Sequence, residues 1–191
     1  MFLRKKTVKN KDYLYAVENI WKKGQVKQKV KKYLGRIVVF KKVRSVSFEK
    51  FVEDKKKISF NEYLDNEGCD EMIYDLVRWE LFKYGFKVSD KIAIKDKCSA
   101  DFTKRLKILS NNGRGFCIKA KEGYLNNLSI NMLLNADLGA EDGDADRKKE
   151  AFGFARLFVE GGIKVPQEVF VELFHRKFLV KENNINEEIR Y

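Results

Sequence analysis

The sequence is poor in proline, histidine and paired cysteine. It has one proline and one histidine, His175, in 191 residues, which excludes metal sites and catalytic triads that need several imidazoles. Cys69, Cys98 and Cys117 are about 29 and 19 residues apart, so they lack the close pairs of zinc and redox motifs. We therefore predict reduced, partly buried cysteines and no resident metal or other cofactor.

Long hydrophobic runs are absent as well. The longest, such as Ile37-Val38-Val39-Phe40, are far shorter than the roughly 18 residues of a membrane-spanning helix. The chain turns polar directly after Met1-Phe2-Leu3, without the apolar core of a secretory signal. Neither common glycine-rich phosphate loop occurs, which argues against a nucleotide-driven motor. These absences favour a soluble cytoplasmic protein with no membrane partner.

Acidic residues are scarce in the first quarter of the chain. Residues 1–50 contain 16 lysines and arginines but three acids, Asp12, Glu18 and Glu49, for a net charge of +13. Residues 51–191 are balanced, with 24 basic and 25 acidic residues. Because a polyanion-binding surface concentrates positive charge in one module, the asymmetry predicts nucleic-acid binding by the N-terminal part. A solvated lysine-rich surface is the alternative.

The basic segment alternates as β-strands do. In residues 12–21 one face is aromatic and β-branched, namely Tyr13, Tyr15, Val17 and Trp21. In residues 26–34 lysines alternate with apolar residues, and Lys22-Lys23-Gly24-Gln25 between the two segments predicts a β-hairpin. Strands at residues 3–8 and 37–40 complete the predicted antiparallel sheet. In so small a module, we expect Tyr13, Tyr15 and Trp21 to form the core.

The lysines of the predicted sheet have a spacing suited to phosphates. Side chains at every second position of a strand are about 6.6–7 Å apart, close to the phosphate spacing of about 6–7 Å along a nucleic-acid strand. We therefore predict that the module follows a phosphate backbone and that Tyr33 stacks on an unpaired base. The predicted contacts are Lys5, Lys6, Lys9, Lys22, Lys23, Lys27, Lys29, Lys31 and Tyr33.

Residues 1–35 contain four short motifs, Phe2-Leu3-Arg4-Lys5-Lys6, Tyr13-Leu14-Tyr15-Ala16-Val17-Glu18-Asn19, Gly24-Gln25-Val26-Lys27-Gln28-Lys29-Val30 and Lys32-Tyr33-Leu34-Gly35. Together they resemble the N-terminal segment of insertion-sequence transposases. The resemblance implies a small β module that binds nucleic acid. It does not imply transposition, because a chain of this length does not hold the family's ribonuclease-H-like catalytic domain as well.

The rest of the chain has the pattern of an α+β body. Apolar residues recur at three and four positions from Cys69 to Tyr84, which predicts a helix of about four turns that Gly85 ends. Strand-like runs follow at residues 91–96, 102–109 and 115–121, and Asn112-Gly113 predicts a hairpin between the last two.

The sequence predicts helices both before and after these strands. A short helix is predicted from Ser47 and another at residues 61–64, and later helices from Ser129, Asp146 and Pro166. We expect the helix from Asp146 to bury Phe152, Ala155, Phe158 and Val159. The predicted organisation is a basic β module at residues 1–44, a helical bridge at residues 45–66, and an α+β body at residues 67–191 with a helical C-terminal third.

The order of elements in residues 69–121 also resembles the restriction-endonuclease-like nuclease core. That resemblance implies that Asp101, with Glu71 or Asp75 from the first helix, holds Mg²⁺ while Lys121 assists the attacking water. The match is incomplete, because Lys119 stands where the second metal-binding acid is needed and its charge would repel Mg²⁺.

Three functions therefore stay open. The leading one is a non-enzymatic nucleic-acid-binding protein of transposase descent. The others are a ribosome- or RNA-associated factor, whose C-terminal body docks a protein or ribosomal partner, and a metal-dependent nuclease. DNA and RNA are not distinguished, because phosphate contacts are common to both.

Overall fold

The computed structural model describes residues 1–22, 24–136 and 144–179. Over these residues the chain has the predicted α+β fold, with two β-sheets and helices packed around them. The strands are β1 Phe2–Val8, β2 Lys11–Lys22, β3 Gln25–Val38, β4 Lys87–Val88, β5 Ile92–Lys95, β6 Cys98–Asp101, β7 Lys107–Ser110, β8 Phe116–Lys119 and β9 Tyr124–Leu125. The helices are α1 Phe48–Lys56, α2 Phe60–Asn66, α3 Cys69–Lys83, α4 Asn127–Leu134, α5 Asp144–Gly161 and α6 Gln167–Phe174, followed by a π-helical turn at His175–Leu179.

The three N-terminal strands form the antiparallel sheet that the sequence predicts. Lys9 and Asn10 join β1 to β2 with positive φ values of 47° and 59°, as a tight two-residue turn requires. Strand β3 continues unbroken to Val38, so the fourth strand predicted at residues 37–40 is the end of β3.

This sheet extends into the body. The end of β3 pairs in parallel with β8, and β8 pairs with β9, giving the order β1-β2-β3-β8-β9. At the junction, Gly35 has a φ of 126°, and a Cβ there would lie 2.4 Å from the carbonyl oxygen of Gly115. Backbone hydrogen bonds therefore join the basic segment to the body, and residue 44 marks a change in charge within one connected structure.

The second sheet consists of β4, β5, β6 and β7 in sequence order, all antiparallel. The hairpin predicted between residues 102–109 and 115–121 is wrong, because β7 pairs with β6 while β8 pairs with β3. A single bridge, Leu109 to Gly115, remains between them. The competing strand β6 reads Cys-Ser-Ala-Asp and has none of the β-branched or aromatic residues that mark strands in a sequence.

Helix α3 lies in the main hydrophobic core, with Met72, Ile73, Leu76 and Leu81 fully buried. It has the bounds that the periodicity predicts, apart from its last residue, and Gly85 follows it with a φ of 87°. The side chain of Ser47 caps α1 as predicted, by accepting from the Lys50 amide at 3.2 Å.

Two details of the C-terminal helices differ from prediction. Asn126 caps α4 instead of Ser129, because its side chain reaches two backbone amides of the first turn. Phe158 of α5 is buried as predicted, together with Phe154, whereas Phe152 and Val159 of the predicted buried face are 78% and 49% exposed. No helix in the described ranges combines the length and the apolar character needed to cross a bilayer.

Candidate nucleic-acid interface

The strand register divides the N-terminal sheet into two faces, since directly paired residues of an antiparallel ladder share a face. Around its middle, Leu14 and Ala16 are fully buried on one face. There Leu14 forms a small core with Ile37 and Cys117, against which Leu3 and Leu34 pack. The opposite face has Tyr13, Tyr15 and Tyr33, which we call the tyrosine cluster.

The tyrosine cluster is partly open to solvent. Tyr33 is 53% exposed and lies between the half-buried Tyr13 and Tyr15, with ring centroids 6.2 Å from Tyr13 and 5.4 Å from Tyr15. Trp21, on the same face of β2, is 74% exposed. The expectation that Tyr13, Tyr15 and Trp21 form the core is therefore wrong, because the core of the sheet lies on the Leu14 face and leaves Tyr13 and Tyr15 half-buried and Trp21 exposed.

Beyond Val17, strand β1 ends and β2 pairs with β3 alone. We call this two-stranded extension, residues 18–22 and 25–30, the distal ribbon. None of its residues is buried. It is about 17 Å long at the usual rise of about 3.4 Å per residue.

The two faces of the distal ribbon differ in chemistry. Ile20 pairs with Lys27, Glu18 with Lys29 and Lys22 with Gln25, so three lysines share one face. The other face is apolar at its tip, where Trp21 pairs with Val26, and Val26 and Val30 are 56% and 58% exposed. The ribbon therefore presents cations on one side and exposed apolar side chains on the other.

The predicted phosphate-binding lysines do not form one surface. Lys22, Lys27 and Lys29 lie together on the distal ribbon, whereas Lys6 pairs with Tyr13 on the tyrosine face and Lys9 occupies the β1–β2 turn. Lys23 lies outside the described residues.

Two other predicted lysines are held by acids of the same sheet. Lys5 Nζ lies 3.2 Å from Asp12 Oδ2, and Lys31 Nζ lies 2.9 Å from Glu18 Oε1. Hydrogen bonds from Thr7 and Lys5 lower the pKa of Asp12, so this carboxylate stays charged beside Lys5. These two lysines have less free charge to offer a phosphate than the three of the ribbon.

Two irregularities in β3 decide which side chains share a face. The register shifts opposite Leu14/Tyr15 and opposite Ala16/Val17, where β3 has the additional residues Leu34 and Lys31. Each additional residue reverses the alternation. As a result Tyr33 pairs with Tyr15 on the tyrosine face, although simple alternation would place it with Lys27 and Lys29.

An open cleft of about 540 Å³ adjoins the tyrosine cluster where the two sheets meet. The β7–β8 loop forms its far wall, and the loop is held by hydrogen bonds from the Ser110 amide to the Arg114 carbonyl and from the Asn111 amide to the Lys97 carbonyl, each 2.9 Å. The lining includes the side chains of Lys11, Tyr13, Tyr33, Arg36, Lys97 and Arg114.

The cleft is electropositive. Its described lining includes four cations, Lys11, Arg36, Lys97 and Arg114, and no carboxylate. Partial burial and the neighbouring Tyr13 and Tyr15 raise the pKa of Tyr33, which outweighs the opposing effect of Arg114. Tyr33 is therefore a neutral ring and hydroxyl at physiological pH.

The nuclease resemblance would bring Asp101 and Lys121 together, but the structure places them at strands of different sheets. Asp101 ends β6 in the four-stranded sheet, whereas Lys121 follows β8 in the five-stranded sheet. Asp101 accepts hydrogen bonds from the amide and hydroxyl of Thr103, which lower its pKa. Across the part of the chain that the structure describes, no three His, Cys, Asp or Glu side chains are grouped to hold a metal ion.

The helical acids of that resemblance belong to an ion-pair cluster. Asp75 is buried in contact with Arg78, Lys55 and Lys56, at 2.9, 3.2 and 3.2 Å. Glu71 also binds Arg78, at 2.6 Å. These contacts give Asp75 a clear structural role within the fold.

Sequence reasoning missed most of the cleft. Arg36 pairs with Tyr13 on the tyrosine face, but it lies outside the strands predicted at residues 26–34 and 37–40. Lys97 and Arg114 are about 60 to 80 residues away along the chain and join the cleft through loops, a placement for which a single sequence has no signal.

Comparison of the chain with protein-family models, with curated proteins and with solved structures finds no match.

Proposed function

We propose that this protein binds nucleic acid without enzymatic action and that the distal ribbon is its main phosphate-contacting element. The observation that carries the proposal is the ribbon's exposure: both faces lie in solvent, and Lys22, Lys27 and Lys29 share one of them. Among the described residues, no carboxylate lies within 4 Å of these three ammonium groups. Their charge is available to an external polyanion.

The shape of the ribbon supports the same proposal. A two-stranded β-ribbon fits the major groove of B-form DNA, which is about 12 Å wide. The exposed Trp21 and Val26 at its tip make no contribution to the core of this chain, whereas bases and sugars offer them apolar contact. On the resemblance of residues 1–35, we also propose that the module descends from the N-terminal segment of insertion-sequence transposases.

Binding by fluorescence anisotropy tests this function. The full chain is titrated against a labelled duplex DNA, a single-stranded DNA and a hairpin RNA, beside the ribbon variant Lys22→Gln/Lys27→Gln/Lys29→Gln. The matched control is Lys57→Gln/Lys91→Gln/Lys104→Gln, which removes the same charge from exposed lysines of the body. We expect the ribbon variant to lose at least tenfold in duplex affinity at about 0.1 M salt and the control to lose less than threefold.

Equal losses in the two variants would mean that net charge alone drives binding, and would contradict a ribbon interface. Preference for the hairpin RNA would favour the ribosome- or RNA-associated role over DNA binding. Absence of binding to all three nucleic acids would refute the proposed function.

A further inference from the structure

We infer that the cleft beside the tyrosine cluster binds unpaired nucleotides, so that the protein has a single-strand site separate from its ribbon. This inference rests on the proposed function in requiring a nucleic-acid ligand. The cleft residues differ from those of the ribbon, and the ligand is single-stranded where that of the ribbon is a duplex. A test can therefore refute the cleft site while the ribbon proposal stands.

The charge of the cleft suits an anionic ligand. Four cations line it, two of them from the sheet, Lys11 and Arg36, and two from loops of the body, Lys97 and Arg114. They face a common space with no carboxylate among its described lining residues. Lys5 and Lys31 of the same sheet are instead paired with acids.

The aromatic rings specify the kind of anion. Tyr33 exposes about half of its surface, and Tyr13 lines the same cleft. An exposed tyrosine and a half-buried one beside cations suit a ligand that alternates flat rings with phosphates, which is the chemistry of a nucleotide chain. Bases in a duplex are stacked on each other and cannot reach these ring faces, so the ligand must be unpaired.

The dimensions allow more than one nucleotide. The cleft, at about 540 Å³, is in the size range of small-ligand sites. A second concavity of about 450 Å³, lined by Val8, Tyr13, Tyr15 and Tyr33, adjoins it and shares two tyrosines with it. A strand that follows both would pass across the tyrosine cluster, because Tyr13 and Tyr33 line both concavities.

The wall of the cleft is ordered by its own hydrogen bonds. The Ser110 hydroxyl donates to Asn112 Oδ1 at 2.6 Å, and the Gly113 amide donates to the Ser110 carbonyl at 2.8 Å. The amide of Asn111 bonds to the Lys97 carbonyl, which ties the loop to the β5–β6 turn. Because these bonds order the loop already, less conformational entropy is lost when a ligand binds.

The test compares the binding of single-stranded and double-stranded probes by matched variants of the full chain. The probes are labelled dT12, U12 and a 12-base-pair duplex. We expect Tyr33→Leu to weaken dT12 or U12 binding about 5- to 150-fold, the range for loss of one stacked base, and to change duplex binding less than twofold. Tyr33→Phe keeps the ring and should bind as the unmodified chain does. Arg114→Gln should weaken single-strand binding and leave duplex binding unchanged.

The ribbon triple variant provides the opposite pattern, a loss of duplex affinity with single-strand affinity retained. If Tyr33→Leu and Arg114→Gln both bind dT12 and U12 within twofold of the unmodified chain, while the ribbon variant loses duplex affinity, the cleft inference is refuted and the proposed function stands. If the unmodified chain binds none of the probes, both are refuted.

Photocrosslinking avoids any dependence on variant stability. A 12-mer that contains 5-iodouracil is irradiated with the unmodified chain, and the crosslinked peptides are identified by mass spectrometry. We expect fragmentation of these peptides to place the crosslink on Tyr13 or Tyr33. Crosslinks confined to the distal ribbon would contradict the inference.

Discussion

Replacing Asp75 with alanine removes a buried carboxylate that binds three cations. The side chain of Asp75 is 1% exposed, and its partner Arg78 is 3% exposed, whereas Lys55 and Lys56 are 17% and 23% exposed. The Tyr63 hydroxyl donates to the same carboxylate at 3.4 Å, and burial beside it raises the pKa of Tyr63. The two lysines can turn toward water after the change, but Arg78 cannot.

The size of the effect follows from what Arg78 retains. Its remaining carboxylate partner is Glu71, and its Nε already lacks a hydrogen-bond partner in the described part of the chain. Loss of one partner from a buried ion pair costs about 3–5 kcal/mol. At about 2–4 °C per kcal/mol for a domain of this size, Asp75→Ala should lower the Tm by about 6–20 °C.

Thermal unfolding followed by circular dichroism measures this change. The control is Asp54→Ala, which removes an exposed pair with Lys50, 59% and 61% exposed, and should lower the Tm by no more than about 2 °C. A change within 2 °C for Asp75→Ala would refute the structural role. Mg²⁺-dependent cutting that disappears in Asp75→Asn with an unchanged Tm would instead assign Asp75 to a nuclease site.

Three further predictions concern the ribbon, the sheet junction and a buried thiol. If each of the three ribbon lysines contacts one phosphate, the triple variant should bind duplex DNA with a slope of log K against log salt that is less negative by about 2.7. An unchanged slope would show that these lysines do not bind phosphate. Gly35→Ala should lower the free energy of unfolding by about 1–3 kcal/mol or more, because its φ of 126° and the nearby Gly115 backbone exclude a Cβ. Gly153→Ala, in the open middle of α5, should instead be neutral or stabilising, and equal urea midpoints for the two variants would contradict this account. Burial raises the pKa of Cys117 to about 12, so with rising pH the thiol ionises first in the unfolded chain, near pH 9. The free energy of unfolding should therefore fall by about 1.4 kcal/mol per pH unit between pH 9 and 12. In urea unfolding, Cys117→Ala should lack this part of the pH dependence. Parallel plots of unfolding free energy against pH for the variant and the unmodified chain would contradict the prediction.

Local patterns in the sequence determined many of the elements. The β1–β2–β3 meander, the helix from Cys69 and the cap at Ser47 are all predicted, because alternation, three-and-four periodicity and capping act between residues a few positions apart. The charge asymmetry is also a property of the sequence alone. It identifies the N-terminal segment as the candidate polyanion-binding part, because net charge depends on residue types and not on how the chain folds.

The tertiary structure decided which face of the N-terminal sheet the body covers. Tyr13, Tyr15 and Leu14 all have the composition of a core, and alternation separates them into two faces without indicating which one the body covers. The body packs on Leu14 and Ala16, which leaves Tyr13 and Tyr15 only half-buried. The two bulges in β3 then place Tyr33 beside them.

The strand partners of the body and the cleft likewise depend on contacts distant in sequence. Phe116 to Ile118 pairs with β3, about 80 residues earlier, and not with the nearby β7 that the Asn-Gly turn suggests. A turn signal indicates where the chain reverses, but pairing is set by which edge offers free hydrogen-bonding groups and a matching apolar face. Arg114 joins Tyr33 in the cleft because that pairing brings the β7–β8 loop to the tyrosine face. The hydrogen bond from the Asn111 amide to the Lys97 carbonyl holds the β5–β6 turn beside this loop, so the candidate single-strand site exists only in the folded protein.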